Sequence, residues 1–202
     1  MNVYDSCPTF ITPRFTLRLV RMEDAPGLLK VYSDKVAQNY FNADNCVSDF
    51  RYATLREMEN CIRMWLESYA RRQFVRWTIF YEKKPVGTVE MFRQGEGENG
   101  EGLGVLRIDL LSMYEFPDVY DELLRTLLPE LHELFSCQRI LTKSLPIMER
   151  RRLALVLHGF IPYKKFLVGD NGIEYGNYWV RRYNPSTDSI SSPRRRRWHD
   201  PD

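Results

Sequence analysis

The spacing of apolar and polar residues predicts an alternation of strands and helices along the chain. Phe15, Leu17 and Leu19 alternate with polar residues, which is the period-two pattern of a half-buried strand. The segments predicted as strands are 15–20, 75–81, 86–92, 103–111, 139–143, 160–168 and 175–183. Apolar residues at three- and four-residue steps predict helices over 24–34, 52–74, 117–135 and 148–158. The predicted order of elements is therefore β-α-α-β-β-β-α-β-α-β-β.

This order predicts an α/β fold with a mixed central sheet of about seven strands, flanked by about four helices. A chain of 202 residues fits one domain, and we place it at 14–183. Residues 1–13 are predicted to be an extended lead-in, and residues 184–202 a disordered basic tail. Pro129 conflicts with one continuous helix over 117–135, since an interior proline kinks a helix or starts a second one.

Charge and cysteine usage exclude several classes of protein. The chain has 29 Lys and Arg against 27 Asp and Glu, so a nucleic-acid partner is not expected, and the run Arg194–Arg197 is interpreted as part of a solvated tail. No apolar run approaches the roughly 18 residues of a membrane span, and 1–10 does not resemble a secretory leader. Four widely spaced cysteines and three histidines predict no metal site and a cytoplasmic protein.

Several short motifs resemble a known family in their order and spacing. They are Thr12-Pro-Arg-Phe-Thr-Leu-Arg18 with Asp24-Ala25, then Tyr32-Ser-Asp34, Tyr40-Phe41, Lys84-Pro-Val-Gly87 and Leu155-Val-Leu-His-Gly-Phe160. Over about residues 12–182 the chain resembles the GNAT superfamily of acetyl-CoA-dependent N-acetyltransferases. It is most similar to the branch that acetylates ribosomal-protein N-termini and small amines. The resemblance implies a single GNAT-like domain.

The resemblance also implies where acetyl-CoA binds. The pantetheine arm is expected in a wedge between the strands 103–111 and 139–143, centred on Leu110 and Ser144, where the first strand is bulged. The diphosphate is expected on backbone N–H groups at the start of the following helix. The residues placed against acetyl-CoA are Leu110, Leu111, Met113, Pro117, Asp118, Val119, Tyr120 and Ser144. The transferase interpretation fails if side chains fill this wedge.

The diphosphate segment departs from the family pattern. Pro117 and Val119 stand where the family has glycines, and Asp118 stands at a basic position. Proline removes an N–H donor, valine restricts φ, and Glu115 and Asp118 bring negative charge towards the expected phosphates. Arg151, with its neighbours on either side, is a candidate source of compensating charge, and the alternative is that these arginines form a solvated helix face.

Two carboxylates in predicted strands are candidate general bases. Glu90 and Asp109 each lie among apolar residues, and burial raises carboxyl pKa values towards the range useful in catalysis. The alternative is that Arg107 neutralises one of them in a cross-strand ion pair. The leading hypothesis is acetyl transfer to a primary amine on a small molecule or peptide. The alternative is a non-catalytic binding protein with this fold, and the oligomeric state stays open, a homodimer included.

Overall fold

A computed structural model describes residues 2–96 and 101–188, together with the backbone of 196–197. The strands are β1 (Thr9–Ile11), β2 (Phe15–Leu19), β3 (Val75–Tyr81), β4 (Lys84–Glu96), β5 (Gly102–Leu110), β6 (Arg139–Lys143), β7 (Ile161–Pro162), β8 (Leu167–Val168), β9 (Glu174–Tyr175), β10 (Tyr178–Arg182) and β11 (Arg196–Arg197). The helices are α1 (Ala25–Tyr32), α2 (Leu55–Ala70), α3 (Pro117–Leu134), α4 (Glu149–Leu157) and α5 (Pro185–Asp188).

Nine of the described strands form one sheet, in the order β11-β1-β2-β3-β4-β5-β6-β10-β7. All neighbours are antiparallel except β5 and β6, which run parallel because α3 crosses between them. The predicted α/β class with a mixed sheet is therefore confirmed. The sheet has two strands more than predicted, because β1 and β11 extend it at one edge.

Helices cover both faces of the sheet. The leucines of α3 are buried in one core cluster with alternate residues of the central strands, among them Leu106, Ile108 and Leu110. The opposite face is covered by α1 and α2, whose Tyr32 and Trp65 belong to a second cluster. Odd-numbered residues of β5 therefore face α1, and even-numbered ones face α3.

Two helices show how the sequence sets their bounds. Thr54 and Glu57 form a reciprocal capping box at the start of α2. The helix α3 runs from Pro117 to Leu134 with Pro129 inside it, so the predicted start of a second helix at Pro129 is wrong. The apolar side chains of α3 are buried on both sides of Pro129, and we attribute the continuity of the helix to this packing.

Both terminal segments contain regular secondary structure, although residues 1–13 were predicted to be an extended lead-in and residues 184–202 a disordered tail. In the lead-in, Thr9–Ile11 is a strand, and Phe10 is buried. In the segment predicted as tail, Pro185–Asp188 is helical, and the buried Asp188 forms an ion pair with Arg181. The other residues of the predicted tail, 189–195 and 198–202, lie outside the described residues.

Within the described residues, no helix has both the length and the apolar character needed to cross a bilayer. Nor does this part of the chain contain a group of histidine, cysteine or acidic residues arranged to hold a metal ion.

Candidate functional site

The pairing between β5 and β6 ends four residues before the end of β5. They pair from Leu103 and Arg139 to Leu106 and Thr142, and β5 then continues to Leu110 with only β4 beside it. On the other side, Ser144 donates its backbone N–H to Asn177 O at 2.9 Å, so the chain after β6 turns towards β10. Beyond Leu106, the side of β5 that faced β6 therefore has no paired strand, and we call the space between this edge and Ser144 the gap.

The free edge of β5 faces this gap with two residues. Leu111 donates its N–H to Val86 O on the β4 side at 2.9 Å. Because backbone groups alternate along a strand, those of Ile108 and Leu110 point to the other side, towards the gap. The register between β4 and β5 is unbroken from Gly87 and Leu110 to Arg93 and Gly104, so the bulge expected here is not found.

Side chains cover the gap from solvent. Leu110 and Ser144 are each 0% exposed, and Ser144 Oγ has no hydrogen-bond partner among the described residues. A buried hydroxyl without a partner is costly, so Ser144 is an available polar contact inside the gap. The expected open wedge is therefore not found in this form of the protein, and a ligand reaches Ser144 only when the covering side chains move apart.

A buried ion-pair network lies on the α1 face of the central strands. Glu90 accepts from Arg107 Nη1 at 2.7 Å and from both Arg76 Nε and Arg76 Nη2. Burial alone would raise the pKa of Glu90, but the charges of Arg76 and Arg107 outweigh it and hold the pKa below its ordinary value. Glu90 is therefore a poor proton acceptor, in agreement with the alternative of a cross-strand ion pair.

Asp109 belongs to the same network but differs in its ionisation. Its Oδ2 accepts from Tyr32 Oη at 3.0 Å and lies 3.5 Å from Arg76 Nη1, while Oδ1 has no partner among the described residues. Burial raises the pKa of Asp109, and the charge of Arg76 offsets only part of this effect. Asp109 therefore keeps the properties of a candidate base, with one free carboxylate oxygen.

The segment between β5 and α3 uses several of its backbone N–H groups in hydrogen bonds of its own. Glu115 donates its N–H to Ser112 O and Phe116 to Tyr114 O, at 3.2 and 2.8 Å, while Val119 and Tyr120 both donate to Phe116 O. Pro117, the first residue of α3, has no N–H to give. This loop does not offer the row of free N–H groups that the resemblance implies for a diphosphate.

The residues of this segment that were predicted to contact acetyl-CoA differ in their exposure and in their contacts. Met113 is exposed, whereas Val119 and Tyr120 are buried in the core with α3. Asp118 is exposed and accepts from Arg14 Nη1 at 2.7 Å. Of the residues assigned to acetyl-CoA, the structure thus brings Leu110 and Ser144 to the gap, whereas Asp118 is paired with Arg14 and Val119 and Tyr120 are core residues of α3.

Arg151 reaches from α4 to the same segment. Its Nη2 donates to Glu115 Oε1 at 2.9 Å, and its guanidinium lies over the Tyr120 ring, 4.9 Å from the centroid. Tyr120 Oη also donates to Glu115, at 2.9 Å. Arg151 is 3% exposed, so it is neither part of a solvated helix face nor open to a phosphate. Its neighbour Arg150 is exposed and lies over Phe116.

Sequence reasoning missed Arg76 and Tyr32 as members of the buried network, and Glu115 as the partner of Arg151. Arg76 had a detectable signal, because a charged residue among Val75, Trp77 and Ile79 needs a buried partner, and Glu90 is directly opposite it in the register. Tyr32 and Glu115 had no such signal, since their contacts depend on how α1 and α4 pack on the sheet.

Solved structures share this architecture. RimL, a ribosomal L7/L12 alpha-N-protein acetyltransferase in complex with coenzyme A, superposes with a TM-score of 0.66 at 13% identity, over 86% of this chain and 97% of that one. Mycobacterium smegmatis RimJ, with a CoA disulfide, gives 0.66 at 13% identity over 96% of each chain. The microcin self-immunity acetyltransferase MccE, solved with acetyl-CoA and AMP, gives 0.64 at 13% identity over 85% of this chain and 93% of that one.

The chain has the GNAT fold. At these identities the superpositions establish the fold and leave the activity to be argued from the site. No family model and no curated protein matches the sequence. The likeness to RimL and RimJ agrees with the resemblance found in the sequence motifs.

Within the GNAT fold, the parting of β5 and β6 is retained and the glycine-containing phosphate loop is not. The two halves of the site therefore fit acetyl-CoA unequally. The free edge at Ile108 and Leu110, with the unpartnered Ser144 hydroxyl, fits a pantetheine arm. The segment from Glu115 to Tyr120 does not fit a diphosphate in the manner that the resemblance implies.

Proposed function

We propose that this protein transfers an acetyl group from acetyl-CoA to a primary amine. The observation that carries the proposal is the free edge of β5 opposite Ser144, because an extended chain with amide groups can pair with such an edge as an added strand. The GNAT fold of the solved acetyltransferases supports it.

Asp109 is the residue that we assign to the proton of the amine. An attacking amine must be neutral, and a carboxylate with a raised pKa accepts its proton more readily than an ordinary one. Tyr32 fixes one carboxylate oxygen by donating to Oδ2, which leaves Oδ1 for the amine or for a bridging water. Glu90 stays bound to its two arginines and takes no proton.

Acceptor identity is not defined by these residues. RimL is described as acting on the alpha-amino group of a ribosomal protein, and we carry over only the class of acceptor, a primary amine on a peptide or small molecule. A homodimer is not required by the proposal, because every residue invoked belongs to one chain.

The burial of the gap favours a second candidate function, a GNAT-fold binding protein that does not use acetyl-CoA. Leu110 and Ser144 are fully buried, so this form of the protein does not admit a thiol arm without movement. The two functions differ in one measurable property, which is the affinity of the full chain for acetyl-CoA.

Calorimetric titration of the full-length protein with acetyl-CoA distinguishes them. Saturable binding, followed by acetylation of a peptide or polyamine in a mixed amine library, is the expected result. No binding at millimolar acetyl-CoA would reject the transferase and leave the binding protein. Ser144→Ala is the matched variant: it should weaken acetyl-CoA binding by several-fold without loss of folded structure, because the Ser144 hydroxyl has no protein partner to lose.

A further inference from the structure

The end of the gap next to α3 is already filled by the protein itself. Glu115 and Arg151 form an ion pair there, and Tyr120 closes it by donating to Glu115 and lying under the guanidinium. Both charged residues are less than 10% exposed. An anion in this place would have to displace a buried carboxylate from its arginine.

The charge of Arg151 is therefore not available to a phosphate. Its pKa is raised by Glu115 and Tyr120 although burial acts to lower it, so the guanidinium stays charged and stays paired. A diphosphate approaching Arg151 would also meet Glu115 as a like charge. Asp118, in the first turn of α3, and Glu122, in the second, share the single positive charge of Arg14 and add to the negative charge of this region.

Backbone donors do not compensate for this loss. The N–H groups of Glu115, Phe116, Val119 and Tyr120 bond to carbonyls inside the segment, and Pro117 has none. Anion sites at the start of a helix depend on N–H groups that are free to point at the ligand. The charge of Arg151 and the N–H groups of Glu115, Phe116, Val119 and Tyr120 are thus already used, which leaves the exposed Arg150 as the positive charge nearest to this segment.

The other end of the gap keeps its binding groups. The backbones of Ile108 and Leu110 face it, and Ser144 Oγ is buried without a partner. We infer that the donor is recognised through its pantetheine arm alone, so that the substrate class is pantetheine thioesters, with or without an attached nucleotide. This inference rests on the proposed function, since it concerns the same gap.

The test compares ligands that share the arm and differ in the nucleotide. Calorimetry or competition binding on the full-length protein would use coenzyme A and pantetheine. We expect dissociation constants within about threefold of each other. A preference for coenzyme A of thirtyfold or more would overturn the inference and leave the proposed function standing. If neither ligand binds at millimolar concentration, the proposed function fails and the inference with it.

A pair of variants tests the part played by Glu115. Glu115→Gln removes the partner charge of Arg151, so we expect coenzyme A to bind at least fivefold more tightly while pantetheine is unchanged. Glu149→Gln, the same change at an exposed position in the first turn of α4, is the matched control and should alter neither affinity. An unchanged ratio in Glu115→Gln would contradict the role of the ion pair. Arg151→Met, which removes the charge instead, should leave the ratio near one even if Glu115→Gln does not fold.

Discussion

Glu90 and Asp109 lie on neighbouring strands, face α1 and are each 2% exposed. The pKa of Glu90 is nevertheless lowered and that of Asp109 raised. Glu90 has two arginines in contact, whereas Asp109 has one arginine at 3.5 Å and a tyrosine hydroxyl. Burial acts on both in the same sense, so the number and distance of the positive partners decide the sign. The sequence pattern cannot supply this distinction, since both carboxylates have similar apolar neighbours along the chain.

Glu90→Gln is expected to destabilise the fold strongly. The substitution leaves Arg76 and Arg107 buried with one negative partner between them, and breaking a buried ion pair costs about 3–5 kcal/mol. Urea unfolding followed by circular dichroism measures the change in the free energy of unfolding. Glu149→Gln should change it by less than about 0.5 kcal/mol. A loss below about 1 kcal/mol in Glu90→Gln would contradict the structural role of Glu90.

Asp109→Asn is expected to leave the protein folded and to lower acetyl transfer by about 10²–10⁴-fold, the range typical of a general base. In the wild type, transfer should rise with pH through the raised pKa of Asp109, because only the carboxylate accepts a proton. Rates measured across pH for both proteins test this. A variant with wild-type activity and an unchanged pH profile would remove Asp109 from the mechanism.

The wild type and Asp109→Asn should also differ in how their stability depends on pH. Folding raises the pKa of Asp109 above its ordinary 3.8, so the protonated form is favoured in the folded state. The wild type therefore loses stability as pH rises from about 3.8 through the raised pKa, and Asp109→Asn does not. The difference in melting temperature, variant minus wild type, should increase over this interval. A difference that stays constant or decreases would show that the pKa of Asp109 is not raised.

At the scale of elements, local sequence patterns predicted which helices and strands form, but not how the strands pair with one another. The helix α2 could be predicted from its apolar spacing, and Gly159 from its position as the residue that ends α4, where its φ is +75°. The parting of β5 from β6 could not be deduced from spacing, because it depends on Ser144 bonding to Asn177, more than thirty residues away. The family resemblance supplied it, and the same resemblance wrongly implied a bulge in β5.

The interior proline of α3 gives a prediction at this scale. Pro129 cannot donate an N–H to Arg125 O, and its ring crowds that carbonyl, a disadvantage of about 3 kcal/mol against alanine in a helix interior. Pro129→Ala should therefore raise the free energy of unfolding by about 1–3 kcal/mol, measured by urea unfolding.

A proline at the start of another helix is the control, because it shows whether replacing any helical proline by alanine changes stability. Pro26 lies in the first turn of α1, where a missing N–H is harmless, so Pro26→Ala should give no gain in stability. An equal gain in both variants, or a loss in Pro129→Ala, would contradict the assignment of strain to Pro129.

At the scale of the whole molecule, the two edges of the nine-stranded sheet are completed by different parts of the chain. β11 pairs with β1 at one edge, and α5 packs beside β10 near the other. Residues 184–202 were predicted to be disordered because they are polar and contain the run Arg194–Arg197, and composition does not show whether a carboxylate in such a segment has an arginine partner. Asp188 does so through Arg181, which also donates to His158 O at 2.8 Å.

Removing the end of the chain should therefore lower the stability of the protein, whereas removing a free tail would leave the stability unchanged. Deleting residues 186–202, or changing only Asp188→Asn, leaves the buried Arg181 without its carboxylate, and we expect each to cost about 3 kcal/mol of stability at pH 7.

Burial acts to raise the pKa of Asp188, but hydrogen bonds from Arg181 and the Asn184 backbone lower it below 3.8. This stabilisation is therefore present above pH 3.8 and is lost as pH falls through the folded-state pKa. Asp49→Asn, at an exposed position, is the control, and equal melting temperatures for Asp188→Asn and wild type at pH 7 would show that the 184–188 segment does not stabilise the sheet.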